Sequence, residues 1–397
     1  MSSRFSRKKY DGPALFSYGF RPFFLAAGLF GLMAVPLWML VYGGAVSLRG
    51  PFTPVDWHVH EMLFGYAAAV IAGFLFTAVP NWTGRMPARG WPLAALVTLW
   101  LAGRLAVAGV GGLPSGAVML IDCGFLAAIA AMISVEIIAG RNWRNLKVVV
   151  PVLVLLGANA VFHVQAMTSG TSGTGRRLGL SVVLFLIMLI GGRIIPSFTR
   201  NWLVRENPGA MPVPFDRFDG LCLLSAVAAL ALWTAFPFAT VSGVGLVVVG
   251  ILHAARLLRW RGWRTWRSPL LLMLHLAYGF LPVGLMALGL GVAGVVSRAA
   301  GLHLLGIGAI GGMTLAVMMR ATLGHTGRAL ESGPLLTVAF AMIVLAALLR
   351  AALPFADTGL TGLAVAAAFW AAGFAIFAVK AGPWLACPNA ARRTASR

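Results

Sequence analysis

The chain has 397 residues, 60% of them hydrophobic and only 10% charged, with a formal net charge of +21 at pH 7. Apolar runs of about twenty residues recur from end to end, which excludes an ordinary soluble domain and indicates an integral membrane protein with many spans. The positive charge does not point to nucleic acid, because it collects in alternate loops between those spans.

In chain order the spans are predicted at 22–43, 58–80, 91–110, 115–139, 146–168, 178–198, 218–235, 240–259, 269–291, 299–321, 334–353 and 358–380, each bounded by Pro, Gly or Arg clusters. No segment shows the period-two alternation of a membrane barrel, and backbone groups in hydrocarbon must bond within their own span, so the fold class is all-α with twelve transmembrane helices. The chain reads as one twelve-helix domain over residues 1–397, with an N-terminal segment at 1–21 and a basic tail at 381–397. The first 21 residues lack an A-x-A cleavage site and run into a full span, so the first helix is expected to be retained.

The loops on the side of the N-terminus hold twenty-four Lys and Arg, from Arg4, Arg7, Lys8 and Lys9 to Arg392, Arg393 and Arg397 in the tail. The opposite side holds five: Arg49, Arg176, Arg177, Arg298 and Arg350. This bias places both termini in the cytoplasm. The basic loop from Arg256 to Arg267, with Trp260, Trp263 and Trp266, reads as an interfacial anchor against anionic lipid. Cys123, Cys222 and Cys387 are isolated and indicate neither a disulfide framework nor a thiolate cluster.

Three segments are variants of one pattern: Ala72-Gly73-Phe74 running to Asn81-Trp82, Gly191-Gly192-Arg193 running to Asn201-Trp202, and Gly311-Gly312-Met313 running to Arg320. Their glycines recur at about one hundred and twenty residues, too long for a solenoid unit, so each copy holds four helices with the pattern on the second, sixth and tenth.

The chemistry lies in the histidines. All seven fall inside spans or at their ends, where ionisable groups are costly and mark a pathway or a cofactor. With a rise of about 1.5 Å per residue, His58, His60, His163 and His303 fall in the outer part of the bilayer. His253 and His275 fall on the inner side, and His325 at the cytoplasmic interface. Imidazole suits haem iron, copper or zinc, whereas hard cations need clustered carboxylates, and only Glu61 and Asp122 lie well inside spans. His58 and His60 stand two apart; in a regular helix their side chains diverge by roughly 200° and serve two adjacent centres, whereas a start of the helix after His58 lets both grip one ion.

On a haem reading, His253 and His275 are expected to hold an inner haem with Arg193, at the same depth, on a propionate. Arg104 and Asp122 fall at one depth on neighbouring helices, as an ion pair or with Arg104 anchoring a propionate. Glu61, which has no obvious basic partner at its depth, is the candidate catalytic carboxylate, as proton donor or as the acceptor that orients a metal-bound histidine; a plain hydrogen-bonded structural carboxylate is the other reading. The outer four histidines are expected to divide between a copper and the proximal position of a second haem.

The runs Phe20-Arg21-Pro22-Phe23-Phe24, Trp57-His58-Val59-His60-Glu61-Met62-Leu63-Phe64-Gly65, Gly73 to Gly84, Gly191 to Trp202, and Met319 to Arg328 resemble the NnrS family, from about Tyr18 to about Trp384. The resemblance implies a bacterial inner-membrane protein containing haem and copper, associated with denitrification and with resistance to nitric oxide. It carries over His58, His60, His163, His253, His275, His303 and His325 as metal ligands without saying which metal each holds. Three sets of four helices are also the pseudo-threefold organisation of haem-copper oxidase catalytic subunits, an analogy of fold alone.

Two functions follow. One is a haem-copper redox enzyme that reduces nitric oxide, using two haem b groups and copper and fed by an external quinol or cytochrome, since no soluble cytochrome domain is present. The other is a non-catalytic membrane carrier of haem, copper or a metal-nitrosyl species, with the histidines as relay points.

Overall fold

In the computed structural model, residues 10–356 and 358–389 are described; the basic residues Arg4, Arg7, Lys8, Lys9, Arg392, Arg393 and Arg397 lie outside them. The described chain is helical throughout, with no strand. Eleven helices are long and apolar enough to cross a membrane: α1 (Phe20–Tyr42), α2 (Pro54–Thr83), α4 (Ser115–Ala139), α5 (Asn145–Ser169), α6 (Gly173–Glu206), α7 (Arg217–Ala235), α8 (Thr240–Leu258), α9 (Pro269–Val292), α10 (Arg298–His325), α11 (Gly333–Phe355) and α12 (Gly359–Ala386). With α3 (Trp91–Val107), apolar but only 17 residues long, the count is twelve.

The expected boundaries are corrected mainly at polar ends. α2 begins four residues before the predicted 58, because Thr53 caps it by accepting from the Asp56 amide and Pro54 occupies the first turn. α6 runs on to Glu206 and α12 to Ala386, so residues 381–386, expected in the tail, are helical. Both helices continue past their apolar runs because a backbone that already bonds to itself has no need to unwind there.

α12 ends where Arg21 receives it. The buried Arg21 guanidinium donates to the carbonyls of Trp384, Leu385 and Cys387 and to Asn389, satisfying acceptors that a helix C-terminus leaves without partners. The Phe20 to Phe24 motif is thus a clasp between the two ends of the described chain.

At the start of α7, Asp216 accepts from the Phe218 and Asp219 amides while Asp219 reaches back to the Asp216 amide. A hydrogen bond from Arg259 holds the exposed Asp216 carboxyl down to about 2. A depressed carboxylate stabilises the fold above its ordinary pKa and ceases to as pH falls through the lowered one, so this cap is lost only in strong acid.

The three patterned helices share two properties. Each contains a π-helical stretch: Glu61–Ala67 in α2, Ile187–Gly191 in α6 and Leu304–Gly311 in α10. They are also, together with α9, the most enclosed spans, with 78%, 61% and 67% of their apolar windows buried against 33–50% for the remaining spans other than α9. The repeated glycines serve different ends. A Cβ at Gly73 would meet the Phe24 ring at 2.7 Å and one at Gly192 would run into the Arg256 guanidinium, whereas at Gly312 the nearest atom is the Ala277 Cβ at 3.2 Å.

Candidate functional site

His58 and His60 both lie within α2, so the divergent geometry holds and the two imidazoles leave the helix on opposite sides. Each enters a separate site.

His58 lines a cavity of about 590 Å³ walled by α1, α2, α6, α10 and α12 with single residues of α7, α9 and α11, within the size range that encloses a cofactor. His303, at the start of the π-helical stretch of α10, lines the same cavity and donates from Nδ1 to the Ala299 carbonyl at 2.7 Å, which leaves Nε2 as the free lone pair. The walls are otherwise apolar and aromatic, among them Leu63, Leu180, Trp233, Leu302, Ile307 and Trp370. Two buried polar atoms of the wall have no protein partner, His58 Nδ1 and Trp38 Nε1, whose rings pack at 4.4 Å. Four arginines border the cavity: Arg176, Arg177, Arg298 and Arg350. They are four of the five basic residues that depart from the positive-inside bias. Arg176 pairs with the buried Asp56 at 3.2 Å, Arg177 donates to the Thr234 carbonyl at 3.0 Å, and the exposed Arg298 lies over the Phe238 ring at 4.8 Å. Each retains further donors, since a guanidinium carries five.

His60 turns instead toward α4 and α5, into a buried cluster with Glu61, Arg104, Asp122, Asn159 and His163. Arg104 donates to Glu61 Oε1 at 2.5 Å and also to Asp122. Asn159 Nδ2 donates to Asp122 Oδ2 at 2.7 Å, which fixes its amide and turns Oδ1 toward His60 Nε2 at 2.9 Å. His60 Nδ1 meets Glu61 Oε1 at 3.0 Å, and His163 Nε2 meets Asp122 Oδ2 at 3.0 Å. Rings of Phe52, Phe64 and Phe162 enclose the pair of imidazoles at 4.6 to 5.1 Å.

Charge and donor counts decide what this cluster needs. Two carboxylates face one guanidinium, so one positive charge is missing at a depth where an unbalanced charge is costly. Both ring nitrogens of His60 face acceptors, so the ring either carries both protons or gives one position to a cation. His60, Asp122 and His163 offer ligand atoms all within 4.8 Å of one another, and two imidazoles with one carboxylate suit copper or zinc better than a hard cation. Glu61 thereby has the basic partner that depth alone did not supply: α3 is short, and its last turn brings Arg104 up beside the start of α2.

None of the cluster residues lines the large cavity. The outer four histidines are therefore divided, His58 with His303 and His60 with His163, on opposite sides of α2.

The inner histidines meet protein groups, except that His275 Nδ1 is buried without a partner. His253 pairs with the Tyr278 hydroxyl at 2.7 Å and the Cys222 carbonyl at 3.3 Å, while His275 Nε2 pairs with Thr199 Oγ1 at 2.8 Å. Trp260 packs against both Tyr278, at 4.6 Å between rings, and His275, at 6.5 Å. Arg193 is exposed beside Asn142, Asn145 and Lys147, away from both histidines. His325 stacks at 6.0 Å on Tyr18, next to Phe20, and borders neither outer site.

Arg256, read from the sequence as part of a cytoplasmic loop, is fully buried. It donates to Asp219 at 2.7 Å, to the Tyr278 hydroxyl at 3.1 Å and to the Met188 carbonyl at 2.8 Å in the π-helical stretch of α6. The legible signal was the spacing: Asp216 and Asp219 open α7, Arg256 and Arg259 close α8, and the two pairs meet.

The sequence model of one protein family, described as NnrS protein, matches residues 14–389. No curated protein matches the chain.

Proposed function

The chain belongs to the NnrS family, which makes it a membrane protein related to nitric oxide, and on that premise we propose that it is a redox enzyme reducing nitric oxide at a haem in the outer cavity. The observation that carries the reading is the cavity itself: two histidines from α2 and α10, apolar and aromatic walls, and four arginines at one border. That set matches a flat apolar ligand with two carboxylates. His58 and His303 would hold the iron, and the arginines would pair with the propionates in the forked geometry that guanidinium provides.

His60, His163 and Asp122 would hold the copper, which supplies the charge the cluster lacks. The haem, when bound, would supply an iron that exchanges electrons and takes up nitric oxide in place of one of the two imidazoles. The protein's own part is to orient and to exclude. The Ala299 carbonyl fixes the tautomer of His303, Glu61 holds His60 Nδ1 and keeps a buried second oxygen, Oε2, free of partners, and the phenylalanine cage keeps water from the copper ligands. Because the sites lie on opposite sides of α2, a molecule in the cavity meets one of them. Copper held there would serve as an electron and charge partner of the haem rather than as a second seat for nitric oxide. Electrons would come from an external quinol or cytochrome on the bacterial inner membrane.

The outer cavity would take one haem. His253 has both ring nitrogens on protein groups, whereas His275 keeps a buried Nδ1 without a partner, so a second, inner haem would find one ready ligand there. The π-helical stretches within α2, α6 and α10, three helices that each contribute residues to the cavity wall, favour three four-helix units around a pseudo-threefold axis.

The test is consumption of nitric oxide, followed with an electrode, by reduced and metal-loaded protein. We expect turnover by the natural chain, and slowed turnover with unchanged metal content in Glu61→Gln. No consumption by the fully loaded chain would replace the enzyme with a carrier of haem, copper or a metal-nitrosyl species.

A further inference from the structure

Below the large cavity lies a second, smaller one of about 80 Å³ between α2, α5, α6 and α10. Every residue lining it is apolar except Thr314. Its rim includes Ile71, Ile190 and Val317, which are half-buried. Ile71 and Ile190 stand near the middle of their spans, where the surrounding medium is hydrocarbon.

The two cavities are one helical turn apart. Tyr66 and Ile310 line the upper one, Ala67 and Thr314 the lower, and the Tyr66 hydroxyl bonds to Thr314 Oγ1 at 2.6 Å across the partition. Thr314 also donates back to the Ile310 carbonyl at 2.6 Å, so that hydroxyl has no donor left and Tyr66 must be the donor to it. The wide turns of α2 and α6 border the lower cavity at Ala67 and at Ile187, Ile190 and Gly191, while that of α10 borders the upper one at Gly306, Ile307 and Ile310. Such single wide turns interrupt regular packing and recur where a protein needs a functional opening.

We propose that the lower cavity is a binding and entry site for a small apolar diatomic gas, which reaches the upper cavity from the bilayer past the Tyr66–Thr314 bond. The occupant follows from size and lining. The space is too small for a quinol or an acyl chain, and a wall with one hydroxyl gives an ion or a polar solute nothing to bond. A neutral diatomic such as nitric oxide concentrates in hydrocarbon and loses nothing in a dry apolar pocket. As the route's destination is the haem cavity, this inference rests on the function proposed above.

Two measurements keep the two readings apart. Xenon, an apolar atom of suitable size, should occupy the lower cavity in crystals of the natural chain under xenon pressure and should be absent in Ile190→Trp, whatever the cofactor content. In reduced, haem-loaded protein, rebinding of carbon monoxide after flash photolysis should slow by at least about tenfold in Ile190→Trp, with haem spectrum and content unchanged. Leu276→Trp, on the exposed face of α9, should rebind at the natural rate. A natural chain without xenon in this cavity, or an Ile190→Trp variant that rebinds as fast as the natural chain, would overturn the proposal. Failure of the haem assignment alone would leave the xenon result standing.

Discussion

Arg104→Leu should destabilise the folded protein by about 3–5 kcal/mol, the cost of leaving buried carboxylates without their cation. Arg104 bonds to both Glu61 and Asp122, and all three are at most 5% exposed. Removing it leaves two negative charges against His60 and His163 in a region closed by Phe52, Phe64 and Phe162. Replacing Glu61 and Asp122 by leucine as well should recover much of the loss, because a buried ion cluster exchanged for apolar side chains of similar volume is often neutral. Unfolding of purified protein in a denaturing detergent would check both. An Arg104→Leu variant within about 1 kcal/mol of the natural chain would mean that the cluster is reached by water.

The double variant Arg298→Ala/Arg350→Ala should bind haem more weakly by two orders of magnitude or more. A hydrogen bond to a charged group contributes about 1.5–3 kcal/mol, which is roughly tenfold to a hundredfold for each arginine. Haem titration of apoprotein, followed by absorbance, would give the ratio. Arg49→Ala is the matched control: it removes the remaining arginine of the same membrane side, which does not line the cavity, and it should leave the affinity within about twofold. Equal losses in the double variant and the control would mean that the arginines act through general surface charge.

The features that were legible in the sequence are those that depend on local order. Twelve apolar helices, eleven of them long enough to span a membrane, follow from apolar runs and their Pro and Gly boundaries. Once α2 was seen to begin before His58, spacing alone separated His58 from His60. What remained hidden depends on which helices meet. Arg104 and Glu61 are 43 positions apart, and their contact needs a short α3 whose end rises beside the start of α2. Arg256 looks like one more basic loop residue until the carbonyl of Met188, 68 positions away, is found above it. The π-helical stretches leave no mark in hydropathy, since one extra residue in a turn changes neither length nor composition detectably. His253 and His275 share a depth, yet depth does not fix the azimuth of a side chain around its helix, and the contacts of His253 with Tyr278 and of His275 with Thr199 could not be read from it.

On the function proposed above, α2 separates two metal sites, one on each side. Cofactor content of two purified single variants tests it most directly, with haem read by absorbance and copper by elemental analysis. His58→Ala should lose haem and keep copper, while His60→Ala should lose copper and keep haem. Loss of the same cofactor in both variants, or full retention of haem in His58→Ala and in His303→Ala, would contradict it.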